Sequence, residues 1–145
     1  MSRRPESRRP VQIRPITDGD LFELTEMLAR CSRQTVYRRF HGFVRAFPEP
    51  YFTDALKRDP HHFALVAQES SQIVAMASSV TLDDGSCEIG ILVQDDYQRQ
   101  GIGTRLLETL LAQAGPRIVR ATVQHDQTWI ISMLVRYQNI RFAFS

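Results

Sequence analysis

One stretch of thirty residues limits what this chain can become: "CEIGILVQDDYQRQGIGTRLLETLLAQAGP", residues 87–116. It opens with an apolar, β-branched run that reads as a strand. A polar, charged connection follows, and then Gly101 and Gly103. Beyond them Ile102, Leu106, Leu107, Leu110, Leu111 and Ala114 recur at helical spacing until Gly115 and Pro116 stop the helix. A helix that begins at glycines after a strand is suited to hold an anion. Its first N–H groups lack partners, its N-terminal end carries about half a positive charge, and glycine lets a phosphate approach the backbone. The alternative is a turn that merely starts a helix. A P-loop is excluded, because no lysine follows the glycines as G-x-x-x-x-G-K-[ST] requires. A dinucleotide-binding turn fits poorly. Leu106 stands where its third glycine belongs, seven residues separate Val93 from Gly101, and only Asp126 lies near the distance of a ribose-binding acid.

The remaining elements follow from period and punctuation. "VQIRPI" (11–16) reads as a strand. The next segment reads as a helix, capped by Thr17 or Asp18, with Leu21, Leu24 and Leu28 on one face. "SRQTVYRRFHGF" (32–43) reads as a second helix with Val36, Phe40 and Phe43 inward, and a short helix restarts after Pro48 and Pro50. Residues 62–68, 73–82 and 87–93 form a strand meander with turns at Ser70–Ser71 and at "DDGS". "RIVRATVQ" is a strand after the glycine-led helix, "DQTWIISMLVRYQNI" a last helix, and "RFAFS" the start of one more element. The order is β-α-α-β-β-β-α-β-α, apart from the short restarted helix. The expected class is α/β (α+β): one domain over 11–145, preceded by a basic, Pro-containing tail over 1–10 that reads as disordered.

Composition narrows the function classes. The chain is 43% hydrophobic and 23% charged, an ordinary balance for a globular domain. The net charge is +2, but residues 1–10 hold four arginines and one glutamate, so the body is slightly acidic and presents no basic groove for specific nucleic-acid binding. No apolar run approaches the roughly 20 residues of a membrane span, and no signal-peptide pattern follows the basic start. A cytoplasmic location is expected. Cys31 and Cys87 are far apart, and His41, His61, His62 and His125 show no zinc spacing, so no metal site is expected.

"Gln98-Arg99-Gln100-Gly101-Ile102-Gly103" resembles the Q/R-x-x-G-x-G/A signature of the GCN5-related N-acetyltransferase (GNAT) superfamily. The likeness extends from Val11 to Phe142 and is nearest to bacterial protein-lysine acetyltransferase domains. It implies a mixed, mostly antiparallel sheet flanked by helices, here with a shortened C-terminal end. It also implies acetyl-CoA as co-substrate. Backbone N–H groups of Arg99, Gln100, Gly101, Ile102, Gly103 and Thr104 would hold the pyrophosphate, and the backbone of Leu92 and Val93 would pair with the pantetheine arm.

Two residues fit the chemistry of acetyl transfer. Glu88 lies on the strand face that carries Gly90 and Leu92, a lone carboxylate in an apolar run. Desolvation there would raise its pKa toward that of a useful base, and its place before Gly101 resembles the family's catalytic glutamate. "Tyr137-Gln138-Asn139-Ile140-Arg141-Phe142" resembles the family's Y-x-K-x-G-F ending, which makes Tyr137 the acid for the departing thiolate. Arg141 replaces the usual glycine, and Ile130 stands where an asparagine often contacts the coenzyme.

The resemblance implies an acceptor that is first a protein lysine and second a small-molecule amine. The reading from a different class is a catalytically silent acyl-CoA-binding module. Arg38 and Arg39 read as a solvated helix face, or as a contact for an acidic protein surface. Because only "RFAFS" follows the last helix, the strand "RIVRATVQ" is expected to expose an edge. A symmetric homodimer completed through that edge is expected, the alternative being that "RFAFS" covers its own edge.

Overall fold

The computed structural model describes residues 10–40, 48–57, 62–114, 118–123, 128–136 and 140–144. The basic segment before Pro10 lies outside them, as do residues 41–47 and Tyr137. The order is β1 (Val11–Pro15), α1 (Leu21–Arg30), α2 (Arg33–Phe40), α3 (Glu49–Leu56), β2 (His62–Glu69), β3 (Gln72–Thr81), β4 (Cys87–Val93), α4 (Ile102–Ala114), β5 (Val119–Val123), α5 (Thr128–Leu134) and β6 (Ile140–Phe144). The strands form one sheet in chain order. β1 to β4 pair antiparallel, and β4–β5 and β5–β6 pair parallel.

Why the sheet is mixed follows from the connections. The meander strands are joined by tight turns, which can only reverse the chain. One uses Ser70 at φ 55°, the other Gly85 at φ 86°. The three-helix link between β1 and β2 delivers the chain to the opposite end of the sheet, and that pair is antiparallel. From β4 onward each link instead carries one α-helix that brings the chain back to the same end, so the next strand runs parallel. The same rule governs β6. Its five residues lie beside β5 from Val119↔Ile140 to Val123↔Phe144. The expected bare edge on "RIVRATVQ" is therefore covered by the chain's own C-terminal strand. A dimer completed through that edge loses its premise. The last helix is also shorter than its apolar pattern suggested, since Ile140 belongs to β6.

The sheet is buried on both faces. α4 and α5 cover one face, where Leu106, Leu107 and Leu110 are at most 1% exposed against Ala75, Ala77 and Ile89. α1, α2 and α3 cover the other, packing Leu24, Met27, Val36 and Phe52 on Val66, Met76 and Leu92. Ile130 explains itself here: it is 3% exposed in the α4–α5 core, where an asparagine would leave an amide to satisfy. Neither Thr17 nor Asp18 caps α1. Asp20 occupies the cap position, and its carboxylate is spent elsewhere. It accepts from both Arg14 Nη atoms at 2.8 and 3.0 Å and from the Thr17 amide at 2.7 Å. Burial pushes its pKa up, but these donors outweigh burial and hold it below the ordinary carboxylate range. No helix among the described residues is long and apolar enough to cross a membrane.

Candidate active site

The central feature is a gap between β4 and β5. Their parallel register runs Cys87↔Val119, Glu88↔Arg120, Ile89↔Ala121 and goes no further. On the other side β4 stays paired with β3 as far as Ala75↔Val93. Backbone polar groups alternate sides along a strand. Cys87 N–H donates to Ile118 on the β5 side, and Gln94 N–H donates to Val74 on the β3 side. By alternation the amides of Ile91 and Val93 face the gap, whereas those of Leu92 are turned to β3. The side chain of Leu92 is 1% exposed in the core. Of the two residues expected to offer their backbone, Val93 turns its amide to the gap and Leu92 turns its amide to β3, while both line the cavity beside it, as does Ile91.

The glycine loop sits at the end of this gap. Arg99 at φ 64° and Gly101 at φ 84° both adopt the left-handed region, which curls the backbone just ahead of α4. Such a conformation is cheap for glycine and uncommon for arginine. The helix begins with Arg105 N–H donating to Gly101 at 3.0 Å, so the amides before Arg105 have no helical partner. Arg99, Gly101, Gly103 and Thr104 line a cavity of about 270 Å³ together with Ile91 and Val93. Ile102 is a core side chain, and the Gln100 side chain turns back to the Asp96 carbonyl at 3.0 Å, so only their backbone is available. Gln98 serves the scaffold. Its Nε2 donates to the Val93 carbonyl at 2.9 Å and to Thr35 Oγ1 at 3.2 Å.

Thr35, Arg38 and Trp129 also line the cavity, and sequence reasoning missed all three as site residues. Arg38, read as part of a solvated face or as a contact for an acidic protein surface, belongs to the cavity wall. Trp129, the chain's one tryptophan, is 42% exposed at the start of α5. Its ring explains Gly103: a Cβ there would lie 2.6 Å from Trp129 Cη2 and 3.3 Å from Ile91 Cδ1. A lone tryptophan in the first turn of a short helix was the available signal.

Asp95 ties α2 to this loop. Its carboxylate accepts from the Ser32 amide at 2.8 Å and from Thr35 Oγ1 at 3.1 Å, across the N-terminus of α2. Burial raises its pKa, but the Ser32 and Thr35 donors prevail and hold it below the ordinary range. A carboxylate depressed in the folded state contributes stability above its unfolded pKa of about 3.9 and loses it as pH falls through the folded value. Asp95→Asn is therefore expected to lower the melting temperature at neutral pH, with the gap to the parent closing in acid below about pH 4. Thermal melts across pH check this; a gap constant with pH would contradict it.

The candidate acceptor side is the α2–α3 face of β4. Glu88 is exposed, so the burial expected to tune it is absent. Its carboxylate makes no hydrogen bond or ion pair among the described residues. Next along that face, a Cβ on Gly90 would meet the Arg39 guanidinium at 2.8 Å. Beyond it Tyr51 hydrogen-bonds Ser78. Burial pushes the Tyr51 phenol up, Arg39 pulls it down, and Glu88 adds to the rise, which places the Glu88 charge within reach of this cluster. Tyr137 lies outside the described residues. No group of His, Cys, Asp and Glu able to hold a metal occurs among them.

Residues 23–136 match the Acetyltransferase (GNAT) family. The chain belongs to that family; it is an N-acetyltransferase with acetyl-CoA as its co-substrate. The fold agrees. The GNAT domain of S. lividans PAT is 23% identical with a TM-score of 0.73 over 87% of this chain and 79% of its own. Salmonella typhimurium yncA, solved with its cofactor acetyl-CoA, is 18% identical with a TM-score of 0.70 over 88% and 78%. The ribosomal-protein-S18-alanine N-acetyltransferase of Escherichia coli is 21% identical with a TM-score of 0.60 over 88% and 76%. No curated protein is significantly similar in sequence.

Proposed function

We propose that the chain acetylates a primary amine by direct attack on the acetyl-CoA thioester, with a protein lysine as the first acceptor class. The observation that carries this reading is the gap that opens after Ile89↔Ala121, with the start of α4 at one end and the free Glu88 carboxylate at the other. The curled backbone at 99–104 suits a pyrophosphate. The amides of Ile91 and Val93 are donors available to the pantetheine arm and to the thioester oxygen as it gains charge.

Glu88 accepts the proton of the incoming amine. Ile91 is three steps further along β4, roughly 10 Å, so the proton passes through a water. The amine nitrogen then bonds to the thioester carbon, the C–S bond breaks, and Tyr137 protonates the leaving thiolate. Tyr137→Phe keeps the ring and removes the hydroxyl. Single-turnover rates are expected to fall with little change in coenzyme affinity, and equal rates would reduce Tyr137 to packing. Neither cysteine is a competing nucleophile. Burial, aided by the nearby Asp95 charge, pushes the Cys31 thiol up to about 12, and Cys87 is 0% exposed.

The lysine reading is supported by the likeness of "SRQTVYRRFHGF" to the corresponding region of bacterial protein-lysine acetyltransferases. A small amine is the second reading, favoured by the polar cluster around Arg39. A silent coenzyme-binding module would bind acetyl-CoA but acetylate nothing. Mass analysis of lysine peptides and small amines incubated with acetyl-CoA separates the three; binding without any acetylated amine would overturn the transferase reading.

A further inference from the structure

Arg39 projects from α2 onto the same face of β4 that carries Glu88. Its guanidinium lies directly on Gly90, where a Cβ would stand 2.8 Å from Nε and 2.9 Å from Cζ. Nη2 donates to Tyr51 at 2.7 Å and to Ser78 at 3.4 Å, and the group packs 4.8 Å from the Phe40 ring centre and 5.1 Å from that of Tyr51. Its Nε is buried without a hydrogen-bond partner. Among the described residues no acid lies within ion-pair distance of it, and its partners there are hydroxyls and rings. A guanidinium offers five donors; Nη2 spends its own on the two hydroxyls and Nε is closed in against Gly90, so those on Nη1 remain.

Partly burying a cation without a counterion is costly. Two positions along the strand, roughly 7 Å away, stands the opposite charge of Glu88, also unpaired. The two do not satisfy each other, because no ion pair joins them. A site with a free carboxylate beside a free guanidinium matches a molecule with the charges reversed.

We propose that Arg39 binds a carboxylate that the acceptor carries close to its reacting amine. The Nη1 hydrogens supply a charge-assisted hydrogen bond to the carboxylate, and the hydroxyls of Tyr51 and Ser78 hold the guanidinium plane through Nη2. The inference rests on the reading of Glu88 as the group that faces the amine. The carboxylate has two sources: that of a free amino acid, or an acidic side chain next to an acceptor lysine in a polypeptide.

The test uses pairs of amines that differ only in the carboxylate. γ-Aminobutyrate is set against n-propylamine, and L-alanine against ethylamine. Blocked peptides carrying Lys-Glu are set against the same peptides with Lys-Gln. At least one carboxylate-bearing member is expected to exceed its partner about tenfold in kcat/KM with the unaltered protein, since charge-assisted hydrogen bonds are strong. In Arg39→Gln the ratio within each pair falls toward one, and Arg39→Lys keeps part of it. Each ratio is internal to one variant, so a general loss of activity does not disturb it; if Arg39→Gln fails to fold, the unaltered protein and Arg39→Lys decide. Preference for free amino acids alone, or for Lys-Glu peptides alone, assigns the source. No preference in any pair, or a preference that survives Arg39→Gln, overturns the inference. Calorimetry with the same pairs in the presence of coenzyme A separates it from the transferase reading. Carboxylate-dependent binding that vanishes in Arg39→Gln without any acetylation would support Arg39 and sink the Glu88 reading. Equal binding within every pair would sink the Arg39 inference itself.

Discussion

Glu88→Gln is expected to lower turnover by roughly a hundredfold or more at neutral pH while acetyl-CoA affinity stays close to that of the parent. The change removes a base and keeps nearly the same shape. It falls on an exposed side chain, so the core is untouched. A lysine amine has a pKa near ~10.4, and almost all of it is protonated at pH 7. Without a base only the small neutral fraction reacts. The deficit should therefore shrink as pH rises toward the pKa of the amine, because solvent then does the work of the carboxylate. A variant as active as the parent at pH 7, or a deficit that does not change with pH, would remove Glu88 from the mechanism. Because burial does not set this residue apart, its role rests on position and on its freedom from partners.

Gly103→Val is expected to weaken acetyl-CoA binding at least tenfold, about 1.4 kcal/mol. Two causes act together. The first Cβ atom already meets the Trp129 ring at 2.6 Å and Ile91 at 3.3 Å, and the branch of valine adds to the conflict. The tryptophan ring is rigid, so it must move within the cavity it lines, or the first turn of α4 must shift away from the anion it is proposed to hold. Calorimetric titration of the folded variant reads the loss. Adding Trp129→Ala removes the first conflict. Affinity that recovers in the pair assigns the loss to the ring, and affinity that stays low assigns it to the approach of the phosphate. Unchanged affinity in Gly103→Val alone would contradict the placement of the coenzyme at this loop.

The parts of the fold that sequence made legible are those with local causes. The 87–93 strand and the 102–114 helix carry their period and their punctuation within themselves, and the structure has both at those bounds. What was missed depends on partners distant in the chain. The pairing of β6 with β5 is a consequence of the helical crossover between them, and a run of five residues does not announce it. Trp129 meets Gly103 from another helix, and Arg39 meets Gly90 from another layer. Asp20 holds the cap position in place of Thr17 or Asp18, yet its oxygens are taken by Arg14 and the Thr17 amide. Leu92 and Ile91 point their amides to opposite sides of β4, and which of them faces the gap is fixed by the register with β3. The loop signature pointed to the candidate site; the residues around the cavity became visible only when the layers were brought together.

The central claim is that the amine attacks acetyl-CoA directly within the gap between β4 and β5. Measuring free thiol and acetylated amine together, with the mass of the intact chain followed in the same samples, tests it most directly. The account predicts that thiol release requires an amine, that each thiol is matched by one N-acetyl product, and that the chain itself gains no acetyl group when acetyl-CoA is supplied alone. Thiol released at the same rate without an amine, or a chain that carries the acetyl group before the amine is added, would contradict it.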